Sequence, residues 1–307
     1  MGKNLDIMKA FDMKNIPDLD ICVLGALELF METKIPKIKL KEYNRVLVVG
    51  SGNALATGKI IFNDKDAVFA SEGTYKNPME KIEFDLVVII SASGEKHAPI
   101  IAKNVESNGI RSVLFTTNEN TSARKIVDEI FIFPKQREPY TYNTSTYLSM
   151  ILGKTMENPK KIYDYIKKID GLVKKDFSNY DSFFLILPSE FELVREMFLT
   201  KFDELFGPII SGRAYTIETA KHAKTVVNST KELFISFGWE NNLFGFENSR
   251  LNIPLPRNAD FATIIAIGYY IIGKIQKAHP PYFKGNINAY AKKASDIFKQ
   301  EIEPIVE

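Results

Sequence analysis

The sequence predicts an α/β protein of two domains of one class, each a doubly wound, mainly parallel sheet flanked by helices. Three observations point there. Short β-branched runs alternate with amphipathic segments along most of the chain. One run, Leu86 to Ile90 in DLVVIISASGEK, is apolar at every position and opens into a serine- and glycine-bearing turn, as a strand buried on both faces of a parallel sheet does. The alternation then resumes after a lysine-rich stretch near the middle, and 307 residues suffice for two domains of ordinary size.

The opening MGKNLDIMKAFDMKN carries acids and lacks the apolar core of a secretion signal, so it is expected to be part of the fold. Pro17 and Asp18 signal a helix start, after which Leu19, Cys22, Val23, Ala26, Leu27 and Phe30 recur on one helical face. RVLVVG at 45–50 reads as a buried strand, and Ser51, Gly52, Asn53 and Ala54 as the turn that opens the next helix. A strand at 67–70 follows, then the strand at 86–90, a helix over 97–108 ended by Asn108 and Gly109, and a strand at 112–116. A polar turn at 118–122, a short helix at 122–128, a strand at 130–133 and a helix from Tyr142 to Leu152 complete the first half.

Residues 158–175 alternate charge with Ile162, Tyr165, Ile166, Ile169 and Leu172, the pattern of a solvated connecting helix. Beyond it the spacing predicts a strand at 183–187, a helix at 190–205, a strand at 208–211 and a helix at 215–227. A strand at 233–236, a Trp-Glu-Asn-Asn loop, a strand at 251–255 and helices at 260–277 and 286–301 close the chain. The expected division is therefore a first domain at 1–157, a connecting helix at 158–178 and a second domain at 179–307. The shared order of elements implies a diverged internal duplication.

Charge narrows the partners. The 40 basic and 38 acidic residues are scattered, which leaves no footprint for nucleic acid. The apolar run 261–275 is interrupted by Thr263, Gly268, Tyr269, Tyr270 and Lys274 and is too short to span a bilayer, so no membrane partner is expected. Cys22 is the only cysteine, which excludes an internal disulfide and fits a reducing, cytoplasmic setting; its spacing makes it a buried helix residue. Three histidines and one cysteine show no metal-ligand spacing, and GSGNALATG lacks the register and the acidic residue of a dinucleotide fingerprint. Neither a metal nor another cofactor is expected.

Ser91, Ser93 and Gly94 stand at the carboxyl end of their strand, where open α/β sheets bind ligands, because turn N–H groups and the positive end of the next helix converge there. Hydroxyls add donors and glycine admits close backbone approach, a combination suited to a phosphate. The Lys96 ammonium adds a point-charge donor. Glu95 would repel phosphate if aimed inward and is expected to turn away, while His97 follows the turn directly, toward the ligand, a neighbouring subunit or solvent. Glu218 and His222, four apart on the helix expected at 215–227, would face one way, either as a proton-transfer pair or as an ordinary exposed pair.

Four segments resemble the double-domain form of the sugar isomerase (SIS) family. VLVVGSGNALATG at Val46 to Gly58 resembles its first phosphosugar loop, and ISASGEK at Ile90 to Lys96 resembles its S-x-S-G-x-[ST] phosphate motif. VLFTTNENTSARKIVDEIFIFP at Val113 to Pro134 is similar to the segment that leads toward the family's active site, and YNTSTYLSMIL at Tyr142 to Leu152 to the helix start over the sugar. GRAYTIETAKHAKTVVNSTK at Gly212 to Lys231 and ENNLFGFE at Glu240 to Glu247 resemble the archaeal phosphoglucose/phosphomannose isomerases, with the isomerase domain of glucosamine-6-phosphate synthase as the other near relative.

The resemblance implies two SIS-type domains, a small-molecule sugar-phosphate ligand and a homodimer. It implies phosphosugar contacts from Ser51, Gly52, Asn53, Ser91, Ala92, Ser93, Gly94, Lys96, Thr144, Ser145 and Lys292. The family's catalytic glutamate falls at or next to Ser229 and its histidine at Glu240; the motif's last hydroxyl is replaced by Lys96, and a serine common in the first loop by Ala54. Glu240, Glu218 and His222 are the catalytic candidates for an aldose–ketose isomerase that moves a proton between C1 and C2. The alternatives are a non-catalytic phosphosugar sensor and an amino-sugar phosphate deaminase or deglycase.

Overall fold

The computed structural model describes residues 2–307. Its first elements are α1 (Lys3–Ala10), α2 (Leu19–Glu32), β1 (Val46–Val49), α3 (Asn53–Ile61), β2 (Ala67–Ala70), α4 (Lys76–Met79), β3 (Leu86–Ile90), α5 (His97–Ser107), β4 (Arg111–Thr116) and β5 (Glu129–Ile132). They continue with β6 (Glu138–Pro139), α6 (Thr144–Thr155), α7 (Pro159–Asp170), β7 (Ser182–Leu187), α8 (Arg195–Phe206), β8 (Ser211–Thr216), α9 (Ile217–Ala220) and β9 (Glu232–Phe237). The last are β10 (Arg250–Ile253), α10 (Phe261–Ala278), α11 (Tyr282–Phe298) and β11 (Ile305–Val306).

Two parallel sheets organise these elements, one in the order β2-β1-β3-β4-β5 and one in the order β10-β9-β7-β8. Counted from its own first strand, the first sheet runs 2-1-3-4-5 and the second 2-1-3-4, so each has its change of winding direction beside that strand, between β1 and β3 and between β7 and β9. β1, β3 and β9 are buried at every position, because helices cover both faces of such sheets. Leu47, Val49, Val87, Ile89 and Leu114 pack with Ala98, Ile101 and Val105 of α5 on one face of the first sheet. Phe184, Ile186 and Phe234 form the matching cluster of the second.

The chain divides into two compact units that are not contiguous in sequence. Glu32–Lys135 and Ser145–Met156 form the unit of the first sheet, whereas Met1–Met31, Gln136–Thr144 and Glu157–Glu307 form that of the second. The N-terminal helices therefore belong with the second sheet, in contrast to the contiguous division expected. So does α7: Ile162, Ile166 and Ile169 are buried, and Asp170 accepts hydrogen bonds from the Tyr270 hydroxyl (2.6 Å) and Lys274 Nζ (3.0 Å) of α10. The stretch expected to be a solvated connector is a packed, amphipathic helix of that unit.

Two predicted elements around β8 move. The strand expected at 208–211 begins only at Ser211, because Gly207 (φ +56°) and Pro208 make the turn before it. The helix expected at 215–227 is the single turn of α9, capped by Thr216 Oγ1, which accepts from Thr219 N–H (3.2 Å). Ala223, at φ +57°, lies outside helical conformation. The expected same-face pairing of Glu218 and His222 is thereby lost, and both residues are exposed.

Candidate functional site

β1 and β3 are neighbours with Val49 beside Ile89, so the two strands end within one residue of each other and the loops that follow leave the sheet side by side. One loop, Gly50 to Gly52, enters α3 through Gly52 at φ +53°. The other, Ser91 to Lys96, enters α5. This is the crevice at which ligands bind in sheets of this winding, with two helix N-termini directed toward it and the positive ends of their dipoles available to an anion.

The second loop is closely tied. Gly94 N–H donates to Ser91 Oγ (3.1 Å), Glu95 N–H to Ser93 Oγ (3.3 Å), and Ser91 N–H to the Phe115 carbonyl (3.0 Å). The segment after β4 braces it from the neighbouring strand. The Ala92 carbonyl accepts from both Thr116 Oγ1 and Thr117 Oγ1 (2.9 Å each), the Ser93 carbonyl from Asn118 Nδ2 (2.9 Å), and the Gly94 carbonyl from Thr121 Oγ1 (2.5 Å). Glu95 is occupied by Ser122, whose N–H (2.8 Å) and hydroxyl both donate to its carboxylate. The sequence reading missed these bracing residues, although the run of small polar side chains in TTNENTS is their signature.

Lys96 ends the turn at φ +57° and ψ −84°, near the rare classic γ-turn, a conformation that costs a side-chain-bearing residue energy. Strain of this kind persists where the surroundings over-determine it, as the bonds to residues 92–95 do here. Across the crevice, Asn53 is 8% exposed, and its Oδ1 has no hydrogen-bond partner among the described residues; neither has the hydroxyl of Thr57, one turn further along α3. Buried acceptors without partners are uncommon enough to call for an explanation. His97, the first residue of α5, lies with Nε2 3.7 Å from Glu72 Oε1 in the loop after β2, so an imidazole and a carboxylate share this edge of the sheet.

The structure thus brings together Ser51, Gly52, Asn53, Ser91, Ala92, Ser93, Gly94 and Lys96 at one sheet edge. It does not gather the other predicted residues there. Thr144 and Ser145 begin α6, fall on either side of the division between units, and are buried; Glu138 Oε2 accepts from Thr144 N–H (2.6 Å). Glu218 and Glu240 lie at the carboxyl ends of β8 and β9 in the second-sheet unit, both exposed. Glu218 accepts from the Ser189 hydroxyl, and that bond above all holds its carboxyl below the usual range. His222 is exposed beyond α9, and Lys292 is exposed on α11. Among the described residues, no group of three or more His, Cys, Asp or Glu side chains could hold a metal ion, and no helix is long and apolar enough to cross a membrane.

No protein-family model and no curated protein matches the chain. Solved structures do. Glucosamine-6-phosphate deaminase from Thermotoga maritima superposes with a TM-score of 0.61 at 18% identity, over 90% of this chain and 94% of that one. The C-terminal domain of glucosamine-fructose-6-phosphate aminotransferase from Francisella tularensis gives 0.60 at 13% identity, over 93% and 97% of the two chains. The fold is of the sugar isomerase type. Tagatose-6-phosphate ketose/aldose isomerase from Escherichia coli extends the likeness of this SIS-type fold, with a TM-score of 0.57 at 11% identity over 91% and 94% of the chains. At these identities the likeness is one of architecture.

Proposed function

We propose that this chain binds a sugar phosphate in the crevice between β1 and β3 and isomerises it between aldose and ketose by moving a proton between C1 and C2. The observation that carries the reading is the pairing of the two loops, Gly50 to Gly52 and Ser91 to Lys96, each leading into a helix N-terminus at the change of winding. Three solved proteins of the same fold bear names for chemistry on a sugar or amino-sugar 6-phosphate, which supports that ligand class. The phosphate would take donors from Ser91, Ser93, the turn backbone and the Lys96 ammonium, and the Asn53 amide would meet a sugar hydroxyl.

Proton transfer needs a base that removes the C2 proton of the open-chain aldose and returns it at C1. His97 is supported in this role by its position at the end of the phosphate turn and by Glu72, which would orient the imidazole. Glu240 and Glu218 are the alternative bases. The lowered pKa of Glu218, caused first by the Ser189 hydroxyl, makes it a weak one. The same engagement of Glu218, together with the exposed position of His222, favours a second reading in which the chain binds the phosphosugar as a sensor without turning it over.

Proton NMR of fructose 6-phosphate, glucose 6-phosphate and glucosamine 6-phosphate in heavy water separates the two. Enzyme-dependent loss of the C1 or C2 proton signal is the expected result. Saturable binding without any exchange would leave the sensor.

A further inference from the structure

A second cavity opens in the second-sheet unit, and its chemistry differs from that of the phosphate crevice. It has a volume of about 480 Å³, within the range of small-molecule sites, and lies between the end of α8, the turn that enters β8 and the first half of α11. That turn leads into the amino end of β8, so the cavity stands at the opposite end of its sheet from Ser189, Glu218 and Glu240. Phe206, Phe283 and Ile287 are buried in its walls, and Ile209 and Tyr290, both about half exposed, stand at its mouth. Its charged lining side chains are Asp203 and Glu204, with no lysine or arginine among the lining residues.

Beneath this lining sits Lys201, 0% exposed, whose ammonium donates to the carbonyls of Thr141 (3.1 Å) and Tyr142 (2.7 Å) and to Glu204 Oε2 (2.5 Å). A buried cation satisfied in this way fixes the carboxylate at the cavity wall and leaves Glu204 Oε1 as an acceptor. Thr141, which also lines the cavity, is held at φ +80°, rare for a β-branched residue, and its Oγ1 is buried with no hydrogen-bond partner among the described residues. A constrained backbone and a fixed carboxylate thus stand at the wall of one largely apolar space. Burial raises the affinity of Glu204 for protons, in keeping with a low-dielectric wall that strengthens a bond to a cation.

We infer that this cavity is a binding site for a small organic amine, with its aromatic or aliphatic body against Phe206, Phe283 and Ile287 and its ammonium on the Glu204 carboxylate. A sugar phosphate is the wrong ligand for it, because its charge would meet two carboxylates and its hydroxyls an apolar wall. The site is therefore independent of the proposed function.

Ligand-observed NMR and calorimetry on the full chain, with phenethylamine and its carboxylate counterpart phenylacetate as probes, test the inference. Phenethylamine is expected to bind saturably, at least about tenfold tighter than phenylacetate, the discrimination that one charge-assisted hydrogen bond provides. Glu204→Gln is expected to remove that discrimination. Asn286→Trp, which fills the cavity from an exposed helix position and so spares the buried Lys201 bonds, is expected to abolish phenethylamine binding with the melting temperature kept. No saturable binding, equal binding of the two probes, or wild-type affinity in Asn286→Trp would overturn it.

Discussion

Replacing Lys96 by glycine and, separately, by alanine distinguishes the residue's charge from its backbone conformation. At φ +57° and ψ −84° the native residue holds strain on the order of 1–3 kcal/mol, which alanine retains and glycine releases. Glycine in turn gains unfolded-state freedom worth roughly 0.5–1 kcal/mol relative to alanine. Whatever contact the lysine side chain makes is lost in both variants and cancels. The glycine variant should therefore be the more stable of the two, by about 1 kcal/mol, the reverse of the usual order. Both variants lose the ammonium, which as a charge-assisted phosphate ligand is worth about 1.5–3 kcal/mol, or roughly ten- to a hundredfold in Kd. Urea denaturation gives the first difference and calorimetric titration with fructose 6-phosphate the second. An alanine variant as stable as the glycine variant, or more so, would refute the reasoning about strain; undiminished affinity in both would remove Lys96 from the site.

Other outcomes follow from the same geometry. Gly94→Ala places a Cβ 2.4 Å from Thr121 Oγ1 at φ +67°, so left-handed strain and overpacking together should cost about 2–4 kcal/mol in denaturant melts and disrupt ligand binding; a neutral substitution would contradict the bracing described. His97→Ala should lower the rate of C1/C2 proton exchange by about 10²- to 10⁴-fold while leaving Kd within a few-fold, and an unchanged rate would move the base to Glu240. The Asp170 carboxyl is held below its usual range, first by the Tyr270 hydroxyl and then by Lys274. Because its folded-state pKa is depressed, the stability it contributes is present above the ordinary carboxylate range and is lost as pH falls below that range through the depressed folded-state value. Asp170→Asn should accordingly melt lower than the parent near neutral pH, with the gap closing below about pH 4; a gap of constant size would reject the assignment.

The parts of the fold legible in the sequence are those decided by local pattern. Leu86 to Ile90 reads as a strand because no position faces water, and residues 159–170 read as a helix because Ile162, Ile166 and Ile169 repeat at its period. That α7 and the N-terminal helices join the unit of the second sheet depends on long-range packing, such as the bonds of Asp170 to α10, which no local window contains. The apolar spacing at 215–227 misleads: the chain leaves the helix after one turn, with Ala223 at φ +57°, and Val226 and Val227 beyond it are exposed rather than packed, so no buried face prolongs the helix.

The candidate site shows the same boundary. Ser91, Ser93 and Gly94 were legible because they follow a buried strand directly. The bracing by Thr116, Thr117, Asn118 and Thr121 was not, since it requires β4 to lie next to β3. Nor does composition reveal the conformation of Lys96 or the pairing of His97 with Glu72 across two loops.

Calorimetric titration of fructose 6-phosphate into the native chain and into Ser93→Leu tests the phosphate crevice most directly. Saturable binding to the native protein, lost in the variant while its melting temperature is kept, is the predicted result. Equal affinity in the two proteins would contradict it.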